Sequence, residues 1–162
     1  MQKKFGTVGV GGTFDELHKG HRTLLIKAFD IGERVLIGVS SDEFVKKMHK
    51  PHTAASYEKR TRELRDFLRE HGILQRAEII PISDAYGGVL LSKDLIEALV
   101  VSKETEPTAL KVNEKRKEIG IGPLEIVVID MVPSENHRAI STTRIYAGEI
   151  DHDGHLLKKR TK

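Results

Sequence analysis

Short apolar runs and stretches of helical spacing alternate along this chain. Residues 7–10, 34–39, 77–82, 96–101 and 124–129 are runs of the first kind and read as buried strands. Between the first two, Leu24, Leu25, Ala28 and Phe29 keep helical spacing, and Gly32-Glu33 is expected to turn the chain into the second strand. A short helix capped by Ser41 or Asp42 should carry Phe44, Val45 and Met48, together with Lys46, Lys47 and Lys50. A third helix is predicted over residues 57–70, with Tyr57, Thr61, Leu64, Phe67 and Leu68 on one face. Its other face, dense in Arg and Glu four residues apart, reads as solvated surface. A further helix begins near Pro107, a residue tolerated in a first turn, and runs to about Ile119, where Gly120-Ile121-Gly122-Pro123 breaks it. Residues 83–88 read as a flexible loop, and residues 140–145 open a last helix with Ser141 or Thr142 as cap. Strand and helix in alternation imply an α/β fold: a Rossmann-like, doubly wound, parallel five-stranded sheet in a single domain. That domain is expected to span residues 1–150, with residues 151–162 a flexible basic tail.

Bulk properties narrow the function classes. A chain of 162 residues supports one domain with a substantial core. Its 27 basic and 24 acidic residues give +3, but removing Lys158, Lys159, Arg160 and Lys162 leaves 23 against 24, so the basic balance belongs to the tail. With no Trp and no aromatics interleaved among the basic residues, a base-stacking surface is not supported, and no nucleic-acid partner is expected. The chain has no cysteine, which excludes disulfides and thiolate chemistry. No run approaches a membrane span, and Lys3-Lys4 is not followed by a signal-like apolar stretch, so a cytoplasmic protein without a membrane partner is expected.

The chemistry concentrates between the first strand and the first helix, in Gly11-Gly12-Thr13-Phe14-Asp15-Glu16-Leu17-His18-Lys19-Gly20-His21-Arg22. A strand-to-helix turn in a parallel sheet lies at the carboxyl edge, where ligands bind. Gly11, Gly12 and Gly20 permit close backbone approach, and N–H groups at a helix start favour an anion, phosphate above all. A dinucleotide fingerprint starting at Gly9 and Gly11 would need glycine where Phe14 stands, and no Gly-Lys-Ser/Thr triplet completes a Walker loop. Instead Thr13 is followed by two histidines one turn apart, His18 and His21. These can donate to a phosphoryl oxygen and stabilise charge growing in a transition state. Asp15 and Glu16 read equally well as turn residues.

A second constellation stands near the other end. Ser141-Thr142-Thr143-Arg144 puts hydroxyls and N–H groups at a helix start with a guanidinium one turn in, a phosphate receptor in miniature. Following the last strand, it should face the same sheet edge as Thr13 and His18. Asp151-His152-Asp153-Gly154-His155 has metal-capable side chains, but a mobile tail offers no framework to hold an ion, and no metal site is expected.

These residues carry a resemblance. Gly12-Thr13-Phe14-Asp15 followed by His18-Lys19-Gly20-His21, with Ile140-Ser141-Thr142-Thr143-Arg144, resembles the two signatures of the nucleotidyltransferase superfamily and covers almost the whole chain. The middle resembles the archaeal and eukaryotic phosphopantetheine adenylyltransferases: Asp84-Ala85-Tyr86-Gly87 and Val101-Ser102-Lys103-Glu104-Thr105 match that group's loop and segment, as do residues 41–43 and 148–151. Asn136-His137-Arg138-Ala139 stands where cytidylyltransferases usually carry Arg-Thr-Glu-Gly, which counts against cytidine.

The resemblance implies transfer of AMP from ATP to 4′-phosphopantetheine, with Mg²⁺ carried on the nucleotide. It implies that Thr13 and His21 contact the α-phosphate region and that His18 holds the nucleotide phosphates and the leaving pyrophosphate, the three forming the catalytic set. Gly12, Ser102 and Thr105 would line the nucleotide, and Ser141, Thr142 and Arg144 would grip the β and γ phosphates. Lys46 or Lys47 would bind the acceptor phosphate, and spacing does not choose between them. Other acceptors of the superfamily (nicotinamide mononucleotide, flavin mononucleotide, a polyol phosphate) stay open, as does a non-catalytic ATP-binding module. Oligomeric state is left open.

Overall fold

The computed structural model describes residues 4–48, 54–84 and 95–130. Within them the chain forms β1 (Phe5–Gly12), α1 (Lys19–Ile31), β2 (Gly32–Ser40), the short α2 (Asp42–Lys47), α3 (Tyr57–Glu70), a 3-10 turn (Leu74–Arg76), β3 (Ala77–Ile82), β4 (Ala98–Ser102), α4 (Glu106–Glu118) and β5 (Glu125–Ile129). The strands make one parallel five-stranded sheet in the order β3-β2-β1-β4-β5. The chain therefore walks outward from β1 to β3, returns to the other side of β1 and walks outward again. The reversal lies between β1 and β4, the place where sheets of this kind bind ligands at their carboxyl ends. Among the described residues the β1–β4 ladder holds only Val8↔Ala98 and Gly9↔Leu99, so both strands run beyond their pairing toward that edge.

Alternation along the strands divides the core. Val35, Ile37 and Val39 of β2, with Val8 and Val10 of β1, face Leu25, Ala28 and Phe29 of α1 and Leu64, Phe67 and Leu68 of α3. Leu36 and Leu99 face the other way, onto Ala109 and Val112 of α4 with Ile96 and Leu124. Gly9 leaves room for this second cluster: a Cβ there would stand 2.9 Å from Ile96 Cδ1 and 3.0 Å from Leu99 Cδ2. α3 and α4 stop by the same device, a glycine at positive φ (Gly72 at 69°, Gly120 at 81°). In each, the next residue's N–H reaches back to the helix, Ile73 to Leu68 and Ile121 to Arg116, both at 3.0 Å.

The expected fold class stands, and three details differ. α1 begins at Lys19, before its first apolar residue, because a histidine cap starts it. Gly32-Glu33 is no separate turn: β2 starts at Gly32, which packs so closely on β1 that a Cβ would lie 2.8 Å from Val8 Cγ2. The polar face of α3 is solvated at Arg62 and Arg69, which pair with Glu58 and Asp66, but not at Arg60, which is buried. The helix expected over 140–145 and the tail at 151–162 lie outside the described residues, as do residues 85–88 of the expected loop.

Candidate active site

β1 delivers Gly12 and Thr13 to the carboxyl edge of the sheet, and the chain then folds back sharply to enter α1. Phe14 and Glu16 take the left-handed conformation, φ 53° and 51°, which is costly for residues with a side chain and needs support from their surroundings. Phe14 has that support. Its ring is buried, one edge against Gly12, where a Cβ would stand 3.3 Å from Phe14 Cε2, and the ring centre lies 5.4 Å from that of His21. Asp15 is buried and accepts the Ala55 N–H on Oδ1 at 3.3 Å, so it serves the turn.

His18 is the N-cap of α1. Its Nδ1 accepts the N–H groups of Gly20 (3.0 Å) and His21 (3.3 Å), while its own N–H donates to His21 Nδ1 at 3.3 Å. The N–H groups of Gly20 and His21 are thus spent on an imidazole and are not left for an anion, which corrects the expectation from sequence. With Nδ1 accepting, a ring that is neutral carries its proton on Nε2. The two rings stack, centroids 3.7 Å apart and 17° from parallel. Gly20 permits this arrangement, since a Cβ there would meet His18 Cε1 at 2.8 Å.

The other sequence candidates among the described residues stand on neighbouring elements. Thr13 Oγ1 donates to Ser40 Oγ at 3.4 Å, and Ser40, buried at the end of β2, leans on Gly12 O at 3.5 Å; both contacts are long. Ser102 and Thr105 sit at the end of β4. Their hydroxyls lie 3.3 Å apart, and Thr105 Oγ1 accepts the Ser102 N–H at 3.2 Å, so Thr105 braces the turn and makes no side-chain cap on α4. Lys46 and Lys47 are exposed in the last turn of α2. Ser141, Thr142 and Arg144 lie outside the described residues. Among the described residues no three of His, Cys, Asp and Glu gather to hold a metal, and no helix is long and apolar enough to cross a membrane.

Sequence reasoning missed Ser40 and Arg60. Ser40 carried no signal beyond its place at a strand end. Arg60 carried one: four residues before Leu64 and seven before Phe67, it falls on the apolar stripe of α3.

A sheet that reverses between β1 and β4, with a histidine-capped turn at its carboxyl edge, is the frame of a nucleotide-handling enzyme. The chain belongs to the cytidylyltransferase-like family, whose model matches residues 10–148. Within that family its relatives include the phosphopantetheine adenylyltransferase of Methanopyrus kandleri, 47% identical over 91% of this chain and 92% of the relative. The phosphopantetheine adenylyltransferase of Pyrococcus furiosus is 44% identical over the full length of both chains. A solved protein of unknown function from Archaeoglobus fulgidus superposes with a TM-score of 0.68 at 33% identity, covering 83% of this chain and 99% of its own.

Proposed function

We propose that this chain transfers the adenylyl group of ATP to 4′-phosphopantetheine, giving 3′-dephospho-coenzyme A and pyrophosphate, a step of coenzyme A biosynthesis in the cytoplasm. An oxygen of the acceptor phosphate attacks the α-phosphorus in line. The new P–O bond forms as the bond to the bridging oxygen of the β-phosphate breaks, and the electron pair leaves with pyrophosphate. No residue need form a covalent intermediate, so catalysis is positioning and charge stabilisation.

The observation that carries this reading is the His18–His21 pair. Two imidazoles locked by their Nδ1 atoms and stacked at 3.7 Å present a pair of like donors at one spot, as growing charge on phosphoryl oxygens requires. Binding without chemistry has no need of such a pair. On this reading Thr13 and His21 contact the α-phosphate, His18 holds the phosphates and the departing pyrophosphate, and Gly12, Ser102 and Thr105 line the nucleotide. Ser141, Thr142 and Arg144 grip the β and γ phosphates, and Lys46 or Lys47 neutralises the acceptor phosphate. Mg²⁺ arrives with the triphosphate, held by phosphate oxygens and water as is usual for that ion.

Incubation with ATP and each acceptor, followed by pyrophosphate release, tests the proposal. Release is expected with 4′-phosphopantetheine. Release only with nicotinamide mononucleotide, flavin mononucleotide or a polyol phosphate overturns the acceptor, and tight ATP binding without turnover overturns the enzyme in favour of a binding module.

A further inference from the structure

Arg60 is the largest fully buried side chain among the described residues, at 1% exposure. Its guanidinium joins three segments that meet at the carboxyl edge. Nη1 donates to Thr13 O at 2.9 Å and to Ser40 O at 2.8 Å, Nε donates to Ala55 O at 2.8 Å, and Nη2 donates to Asp42 Oδ1 at 3.1 Å. The residue that takes Arg60 on its carbonyl, Ala55, gives its N–H to Asp15. Arg60 and Asp15 therefore pin the two sides of Phe14, the left-handed residue between Thr13 and Asp15, to one point at the start of α3.

As a stabilising device this is a poor choice. A buried guanidinium loses its hydration, and its ion partner Asp42 has a side chain 53% exposed, which weakens the pair. An apolar side chain of similar volume would fill the space at no such cost. What an apolar residue could not do is hold the carbonyls of Thr13 and Ser40 together on one planar fork, which fixes the end of β1 against the end of β2.

We propose that Arg60 is a positioning residue for the adenylyl transfer, setting the main chain of Thr13, and through the strained turn the His18–His21 pair, against the α-phosphate. The proposal rests on the reading of Thr13, His18 and His21 as the triphosphate site. It also links the two halves of the reaction, because Asp42, held by the same guanidinium, begins the helix that carries Lys46 and Lys47.

The test uses the full chain with Arg60→Lys, which keeps the charge and loses the fork. Thermal unfolding, ATP affinity by calorimetry and steady-state kinetics are compared with wild type and with Arg62→Lys, an exposed arginine on the same helix expected to leave turnover unchanged. The expected result is a folded Arg60→Lys whose kcat falls roughly 10²-fold, the cost of a misplacement on the order of 1 Å, while ATP affinity changes far less. A folded Arg60→Lys with kcat close to wild type overturns the role, as does a loss confined to ATP affinity. Should Arg60→Lys not fold, Asp42→Ala at the exposed end of the network takes its place: a severalfold fall in kcat supports the role and an unchanged kcat overturns it. A wild-type chain that releases no pyrophosphate with any acceptor overturns the reading of the site itself, an outcome distinct from an active wild type matched by an equally active Arg60→Lys.

Discussion

His18 and His21 cap each other across the first turn of α1, the backbone N–H of each meeting the Nδ1 of the other at 3.3 Å with the rings stacked between. This is a capping box in which imidazoles replace the usual hydroxyl and carboxylate. On the proposed function, the Nε2 side of each ring serves the nucleotide phosphates. Structural and chemical duties thus sit on opposite sides of the same side chain, and substitutions can separate them.

At His18 the separation is direct. His18→Ala removes both duties: turnover should fall roughly 10²–10³-fold, and the lost cap should cost about 1 kcal/mol of stability. His18→Asn returns an oxygen that can accept the Gly20 and His21 N–H groups, and asparagine is among the best caps. Its melting temperature should return most of the way to wild type while turnover stays low. Melting curves and pyrophosphate release on the two variants check this. An Asn variant with wild-type turnover would remove His18 from the catalytic set.

Gly20 makes a sharper case, because helix propensity and site geometry pull in opposite directions. Alanine inside a helix is favoured over glycine by about 1 kcal/mol, yet a Cβ at Gly20 would stand 2.8 Å from His18 Cε1 and 3.0 Å from His18 Nδ1. The ring must move or the turn must open. Gly20→Ala is expected to leave the melting temperature within a few degrees of wild type and to lower kcat by roughly 10²-fold, since a small displacement of a catalytic donor is costly. Unchanged kcat would mean that the ring position does not matter to the reaction.

These contrasts explain what was legible in the chain. The alternation of strand and helix, the sheet type and the placing of Thr13, His18 and His21 on one turn follow from local pattern, and α3 (Tyr57–Glu70) and β3 (Ala77–Ile82) have the bounds that pattern suggests. The use made of His18 does not follow from local pattern, because histidine is not among the usual caps and nothing in Leu17-His18-Lys19 says which ring nitrogen faces the helix. Arg60 lay hidden for the opposite reason. It sits among arginines and glutamates whose spacing fits an exposed face; its place on the apolar stripe hints at burial, but its partners, Ser40 and Thr13, lie 20 and 47 residues away. Long-range hydrogen bonds leave no periodic trace.

Gly72 and Gly120 give a stability change that should leave the chemistry alone. Both have positive φ, and nothing lies within 4 Å of a Cβ at either position, so alanine there meets no clash, only an unfavourable backbone conformation. Gly72→Ala and Gly120→Ala should each lower stability by roughly 1–2 kcal/mol. Neither glycine touches the candidate site, so kcat measured well below the melting transition should equal that of wild type. Denaturant midpoints and turnover on the same preparations decide it. A stability loss far beyond that range would mean that the Schellman turns do more than end their helices.

Thr105 should behave unlike the histidines. Its hydroxyl accepts the Ser102 N–H at 3.2 Å and lies 3.3 Å from the Ser102 hydroxyl, and these bonds shape the turn after β4 whether or not the transition state has been reached. A group that supports nucleotide binding equally in ground and transition states changes KM and spares kcat. Thr105→Val keeps the shape of the side chain and deletes its hydrogen bonds. On the proposed reading the Thr105 hydroxyl also gives the nucleotide one hydrogen bond, and the loss of an ordinary bond, about 1 kcal/mol, corresponds to a rise of roughly fivefold in KM for ATP. With kcat close to wild type and KM for the acceptor unchanged, Ser102 and Thr105 belong to the nucleotide side of the site. A fall in kcat with KM for ATP unchanged would instead put the β4 turn in the transition-state machinery beside His18.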